Sequence, residues 1–288
     1  MALSKQTKLV VIEGPIASGK TTLLNNLNRK GFFTIKENCA EWQNFYGRNL
    51  LDCHYQDLSV KDTWRKMGQG KEEHNSLLSG TRQFQHKIIS DYIKNYCLIN
   101  EYNGVVLLER DLDSVRDIFM PLNRDLLTLY DYLLLSELAE SAQNILNRDV
   151  AKLKIYLDVS LTEGFNRMSK RARTGENMAF NTYRKIWSAF DDYKDVCHVI
   201  VNTAGKKEKE ISDEVQNIIT DWVSSQPHTT FKAQIEKIRE EVLSYGQKKT
   251  PETPGGKSTL NFLDSPIDFS SKNDQYDSAS DEQPSSLG

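Results

Sequence analysis

The stretch VIEGPIASGKTT, residues 11–22, places four residues between Gly14 and the run Gly19-Lys20-Thr21. A G-x-x-x-x-G-K-T segment cradles phosphate only where a strand enters it and a helix leaves it. Both flanks have that character, with LVVIE ahead and TTLLNNLN behind. Glycines let the backbone curl around phosphate oxygens, and the amides opening the next helix point at the anion. On this reading Gly14, Pro15, Ile16, Ala17, Ser18, Gly19 and Thr22 line the loop. Lys20 brings a point charge to the outer phosphates, and the Thr21 hydroxyl reaches Mg²⁺. A second glycine-lysine run, TPGGKST at 253–259, lacks both the first glycine, Pro251 standing in its place, and a preceding strand. The segment N-K-x-D, by which GTPases read their base, is absent from the sequence.

A phosphate loop of this kind implies a parallel sheet. Five apolar runs fit its strands: 8–13, 32–37, 104–110, 153–159 and 198–203. They are continuous rather than alternating, as strands covered on both faces must be. Helical periodicity lies between them, over Thr81 to Asn100, within Asp131 to Asn147, and in SLTEGFNRMSKRART after the fourth run. In the last of these, Ser160 and Glu163 have capping-box spacing. The predicted fold is therefore α/β, a three-layer P-loop fold with a five-stranded parallel sheet, a helical lid and a disordered C-terminal tail. Residues 1–224 form the main domain, 225–245 an amphipathic helix and 246–288 the tail. Asp57 to Gly80, polar and glycine-containing, reads as an inserted loop.

Charges cluster where such a sheet binds its ligands, at the carboxyl ends of its strands. Glu37 ends the second run, where a carboxylate can take a proton from an attacking hydroxyl. Glu109 and Arg110 end the third. Glu109 suits Mg²⁺, which prefers oxygen ligands, and Arg110 can bridge an acceptor oxygen and a phosphate. Arg167, Lys170 and Arg171 share one helical face with Arg173 just beyond, a basic lid over the phosphates.

Taken in order, GPIASGKTT, ENCAEW, NLLDCHYQD with a later FQ, ERDLDSVRDIF and RMSKRARTGE resemble the deoxyribonucleoside kinase family, from about Lys8 to Val223. The resemblance implies a P-loop kinase three-layer fold and transfer of the ATP γ-phosphate, with Mg²⁺, to the 5′-hydroxyl of a deoxynucleoside. It implies Glu37 as general base, Arg110 at the same oxygen, and Arg167, Arg171 and Arg173 as lid arginines. Gln85 would hold the base between Trp42, Phe84 and Phe119, with Gln83 as its rival. Tyr55 and Glu176 would grip the sugar 3′-hydroxyl, with His74 competing for the tyrosine's place. The family also implies a homodimer built through helices. A nucleoside monophosphate kinase and a non-catalytic member of the same fold are the alternatives.

Three departures from the family pattern stand out. Asn38 occupies a usual proline position. Asp111 occupies a usual serine position, where its carboxylate either joins the metal or repels substrate. The charged pair facing the base in deoxycytidine- and purine-using relatives is replaced by Tyr92 and Val115, which points to pyrimidine deoxynucleosides, thymidine or deoxycytidine.

The remaining signals mostly exclude. The net charge of −3, from 37 basic and 40 acidic residues, is carried by 246–288, with four basic and seven acidic residues. A near-neutral domain has no general attraction for nucleic acid polymers or membranes. No run is long enough to span a bilayer, and the N-terminus has no signal-peptide pattern. Cys39, Cys53, Cys97 and Cys197 form no CxxC pair, consistent with a cytoplasmic setting, a nuclear one remaining open. Phe231, Ile235, Ile238, Val242 and Tyr245 have the spacing of a helix that docks either on the domain or on a partner.

Overall fold

The computed structural model describes residues 7–66, 79–146, 150–171 and 178–225. Five strands, β1 (Thr7–Glu13), β2 (Phe33–Ile35), β3 (Gly104–Glu109), β4 (Ala151–Asp158) and β5 (Val199–Asn202), form one sheet in the order β2-β3-β1-β4-β5. Every pairing is parallel; Val10 of β1 lies beside Leu107 of β3 on one side and Leu153 of β4 on the other. The sequence reading of the sheet holds, with ends shifted by one or two residues.

The continuous apolar runs are explained by two cores. Leu9, Val11, Val106 and Leu108 face helices α4 (Ser79–Glu101) and α7 (Leu129–Gln143), burying Ile89, Tyr96, Leu135 and Ala139. The alternate residues Val10, Ile12, Leu107 and Ile155 face α1 (Lys20–Arg29) and α10 (Glu208–Ser225), against Leu24, Leu27, Val215 and Ile219. The period of two along each strand divides one apolar run between two faces, which makes the three layers.

The other helices surround the carboxyl edge: α2 (Cys39–Gln43), α3 (Leu50–Lys66), α5 (Leu112–Ser114), α6 (Met120–Leu122), α8 (Leu161–Arg171) and α9 (Phe180–Tyr193). Between α5 and α6 the chain makes a π-helical turn, Val115–Phe119, a rare geometry that recurs at functional sites. At the start of α8, Glu163 N–H donates to Ser160 Oγ at 3.3 Å, as the capping-box spacing requires.

One expectation is corrected. Asp57 to Gly80 is not one long loop: α3 continues to Lys66 and α4 begins at Ser79. Polar composition suggested a loop, yet neither glycine nor proline interrupts 50–66, and polar straight-chain residues are good helix formers. Arg173, Glu176, His74, the helix read at 231–245 and the tail at 246–288 lie outside the described residues. Among the described residues no helix is long and apolar enough to cross a membrane, and the four cysteines form no disulfide.

Candidate active site

The loop between β1 and α1 has the backbone its glycines suggest. Gly14 has φ 134°, and a Cβ there would meet the Leu157 carbonyl oxygen at 2.7 Å, so only glycine fits. Gly19 has φ 101° and precedes the first turn of α1. Lys20 is buried, and its ammonium donates to the carbonyls of Gly14 and Pro15 at 3.0 and 2.8 Å. Burial, then the charge of Arg110, brings the Lys20 ammonium down to about 7. Phosphate oxygens at this loop would favour the charged form again.

Ile16 to Thr22 line a cavity of about 430 Å³ that also reaches Glu37, Glu109, Arg110, Arg167 and Arg171. The Thr21 hydroxyl donates to Glu109 Oε1 at 2.7 Å, and Glu109 Oε2 accepts from the Glu37 amide at 3.4 Å. A hydroxyl and a carboxylate in contact are hard oxygen donors and fit a magnesium ion. Burial, then the nearby Glu37, raises the Glu109 carboxyl; a cation between them would reverse that.

Arg110 is the hinge of the site. It adopts φ 60°, rare for a residue with a Cβ. Its guanidinium lies 5.1 and 5.2 Å from the ring centres of Phe119 and Phe190. One nitrogen donates to Glu37 Oε1 at 2.5 Å, the other to the Gly14 carbonyl at 3.3 Å. Burial would lower Arg110, but Glu37 outweighs it and the net shift is upward. Glu13, at the end of β1, is wholly buried, which lifts it to about 8 against the pull of Arg110.

Glu37, Arg110 and Ile16 also border a second cavity, of about 170 Å³ and more apolar. Trp42, Tyr55, Phe84, Gln85, Val115 and Phe119 all line it. Trp42 and Phe84 meet edge-on at 5.4 Å, and the Trp42 indole N–H donates to Asp91 Oδ2 at 2.8 Å, which fixes the wall. Gln85 is buried, and its side-chain oxygen has no hydrogen-bond partner among the described residues. A buried amide oxygen left unpaired costs about 1–3 kcal/mol, so Gln85 is suited to a polar ligand edge. Tyr92 and Val115, both buried, line the same cavity.

The structure thus gathers the described members of the predicted set around two joined cavities. It also answers the question left by Asp111. That carboxylate caps α5 through the Leu112 amide at 2.9 Å and accepts from Lys152 at 2.6 Å and from the Tyr96 hydroxyl. It is wholly buried in the fold's interior and lines neither cavity. Sequence reasoning missed His54, which lines the second cavity, stacks on Phe84 at 5.2 Å and is held down to about 4 by burial. Its place beside Tyr55, within a segment already singled out, was the available signal. Phe190 was missed too; in α9, Tyr183, Ile186 and Phe190 repeat at helical spacing, and that pattern resembles plain core.

A family model described as deoxynucleoside kinase matches residues 10–64. A Fowlpox virus (strain NVSL) protein named as a probable deoxycytidine kinase is 28% identical over 179 residues, covering 61% of this chain and 66% of the viral one. The match therefore spans just under two thirds of that relative's length. The structure of deoxyadenosine kinase from M. mycoides with products dCMP and a flexible dCDP bound shares the fold, with a TM-score of 0.54, 18% identity, and coverage of 74% of this chain and 99% of that one. The same enzyme with bound dATP gives a TM-score of 0.55 at the same identity and coverage.

Proposed function

We propose that this chain, which belongs to the deoxynucleoside kinase family, transfers the γ-phosphoryl group of ATP to the 5′-hydroxyl of a deoxyribonucleoside. The observation that carries the reading is the junction of the two cavities: Glu37 and Arg110 border both, paired at 2.5 Å. A sugar alcohol held by the apolar cavity would meet a terminal phosphate held by the loop at that pair. Glu37 takes the proton of the 5′-hydroxyl, and Arg110 holds the oxygen and steadies the carboxylate. Lys20, Arg167 and Arg171 offset charge on the transferring group, so the chemistry is positioning and electrostatics with no covalent intermediate. Thr21 and Glu109 would hold Mg²⁺, which would supply charge neutralisation for the outer phosphates. Glu176 and Arg173 keep the sugar-gripping and lid roles implied by the resemblance, with Tyr55 on the cavity wall as the sugar's other partner.

Gln85 reads the base between Trp42, Phe84 and Phe119. Tyr92 and Val115 close the cavity without charge, which supports a pyrimidine, thymidine or deoxycytidine. The name of the fowlpox relative agrees with the second of these; that of the M. mycoides enzyme points to a purine. A steady-state panel of the four deoxynucleosides with ATP decides between them. The expected result is higher kcat/KM for the pyrimidines; a value for deoxyguanosine or deoxyadenosine about tenfold above thymidine and deoxycytidine, worth about 1.4 kcal/mol, would reverse the assignment.

The chain also forms a homodimer on this reading. Leu129, Tyr130, Leu133 and Leu134 expose 40–73% of their surface along one side of α7, and clustered apolar exposure marks an association surface. In sedimentation velocity the protein is expected to run as a dimer, and Leu133→Glu to shift it to monomer. A wild type that stays monomeric at tens of micromolar would contradict this.

A further inference from the structure

Tyr183 of α9 is fully buried, and its hydroxyl donates to the Ile16 carbonyl of the phosphate loop at 2.9 Å. It reaches that carbonyl past α8 at Gly164, where a Cβ would stand 2.1 Å from the hydroxyl oxygen. Glycine within a helix costs about 1 kcal/mol relative to alanine, and here the space it leaves is filled by the phenol tip. The Phe165 ring meets Tyr183 edge-on at 5.6 Å and fixes its plane. Burial pushes the phenol up to about 12, while the charges of Arg167 and Arg171 pull the other way.

The bond acts at a sensitive point. Ile16 borders both cavities, and the next residue, Ala17, has φ 64°. The left-handed conformation costs a residue with a Cβ about 1–2 kcal/mol, so something must hold it. A trans peptide is planar, and its C=O and N–H point in opposite directions. Drawing the Ile16 carbonyl toward α9 therefore turns the Ala17 amide away from α9, and Ala17 itself lines the phosphate cavity.

We infer that Tyr183 is a positioning residue for phosphate binding: threaded through the notch at Gly164, it fixes the Ile16–Ala17 peptide so that the Ala17 amide faces the nucleotide. The same contact ties the loop to α8, the helix that carries Arg167 and Arg171. The inference rests on the phosphate loop being the ATP site and adds to that reading a mechanical link between loop and lid.

Tyr183→Phe keeps the ring and its packing and removes only the hydroxyl. It should weaken ATP binding by about two- to tenfold, the ordinary worth of one hydrogen bond, seen in calorimetry and in KM for ATP. KM for the nucleoside and the melting temperature should stay near wild type, which a merely structural role would not predict. Gly164→Ala should weaken ATP at least as much in the wild-type background. In the Tyr183→Phe background it should add less, because the hydroxyl it strikes at 2.1 Å is gone and the nearest ring carbon left stands 3.2 Å away; such non-additivity is the signature of contact. If Gly164→Ala does not fold, Tyr183→Phe decides alone. Equal ATP affinity for wild type and Tyr183→Phe overturns the latch and leaves the kinase reading intact. A wild type that binds no ATP removes both.

Discussion

Glu37→Gln lowers kcat by about two to four decades, the usual contribution of a general base, and leaves ATP affinity close to wild type. The glutamine amide matches the carboxylate in size, so the walls of both cavities keep their shape. What it loses is the negative charge that Arg110 holds at 2.5 Å and with it the capacity to accept the hydroxyl proton. Arg110 stays in place through the rings of Phe119 and Phe190 and the Gly14 carbonyl. The defect therefore falls on the chemical step rather than on assembly of the site. Single-turnover measurements with ATP and deoxycytidine read it directly. A rate within about threefold of wild type would take Glu37 out of the proton's path.

Arg167→Ala combined with Arg171→Ala lowers kcat by about three to five decades, the range associated with an arginine stabilising a transferring phosphoryl group. Both arginines line the phosphate cavity, four residues apart on α8. Arg167 donates to Glu163 at 2.8 Å, with side-chain exposures of 33% and 51%. An exposed pair of this kind is worth about 1 kcal/mol at most, so Arg167 can leave Glu163 for a phosphate oxygen at little cost. Affinity for the nucleoside should be unchanged, because neither arginine borders the apolar cavity. Turnover by the double variant within about tenfold of wild type would show that the lid carries no transition-state charge.

Much of this site was legible in the chain because its elements are local. The phosphate loop announces itself through glycine spacing, and Glu109-Arg110 through two charges directly after a buried strand. The five strands show because a parallel sheet buried on both faces permits nothing but apolar runs. What stayed hidden depends on distant partners. Asp111 reads like a site carboxylate until Lys152, 41 residues on, is seen to hold it. His54 and Tyr183 read as ordinary helix residues, since nothing local reveals that one lines a cavity and the other reaches a loop 167 residues away. The extension of α3 is hidden for a different reason: its polar composition suggests a loop, although nothing in the segment breaks a helix.

The central claim is that the paired Glu37 and Arg110 activate a neutral sugar hydroxyl at the mouth of the phosphate loop. Phosphorus NMR of the purified chain with ATP, Mg²⁺ and either deoxynucleosides or their 5′-monophosphates tests it most directly. The account predicts ADP and a deoxynucleoside 5′-monophosphate in equal amounts from thymidine or deoxycytidine, and no comparable conversion of the monophosphates. Diphosphates formed preferentially from the monophosphates, or ATP left untouched beside all four deoxynucleosides, would contradict it.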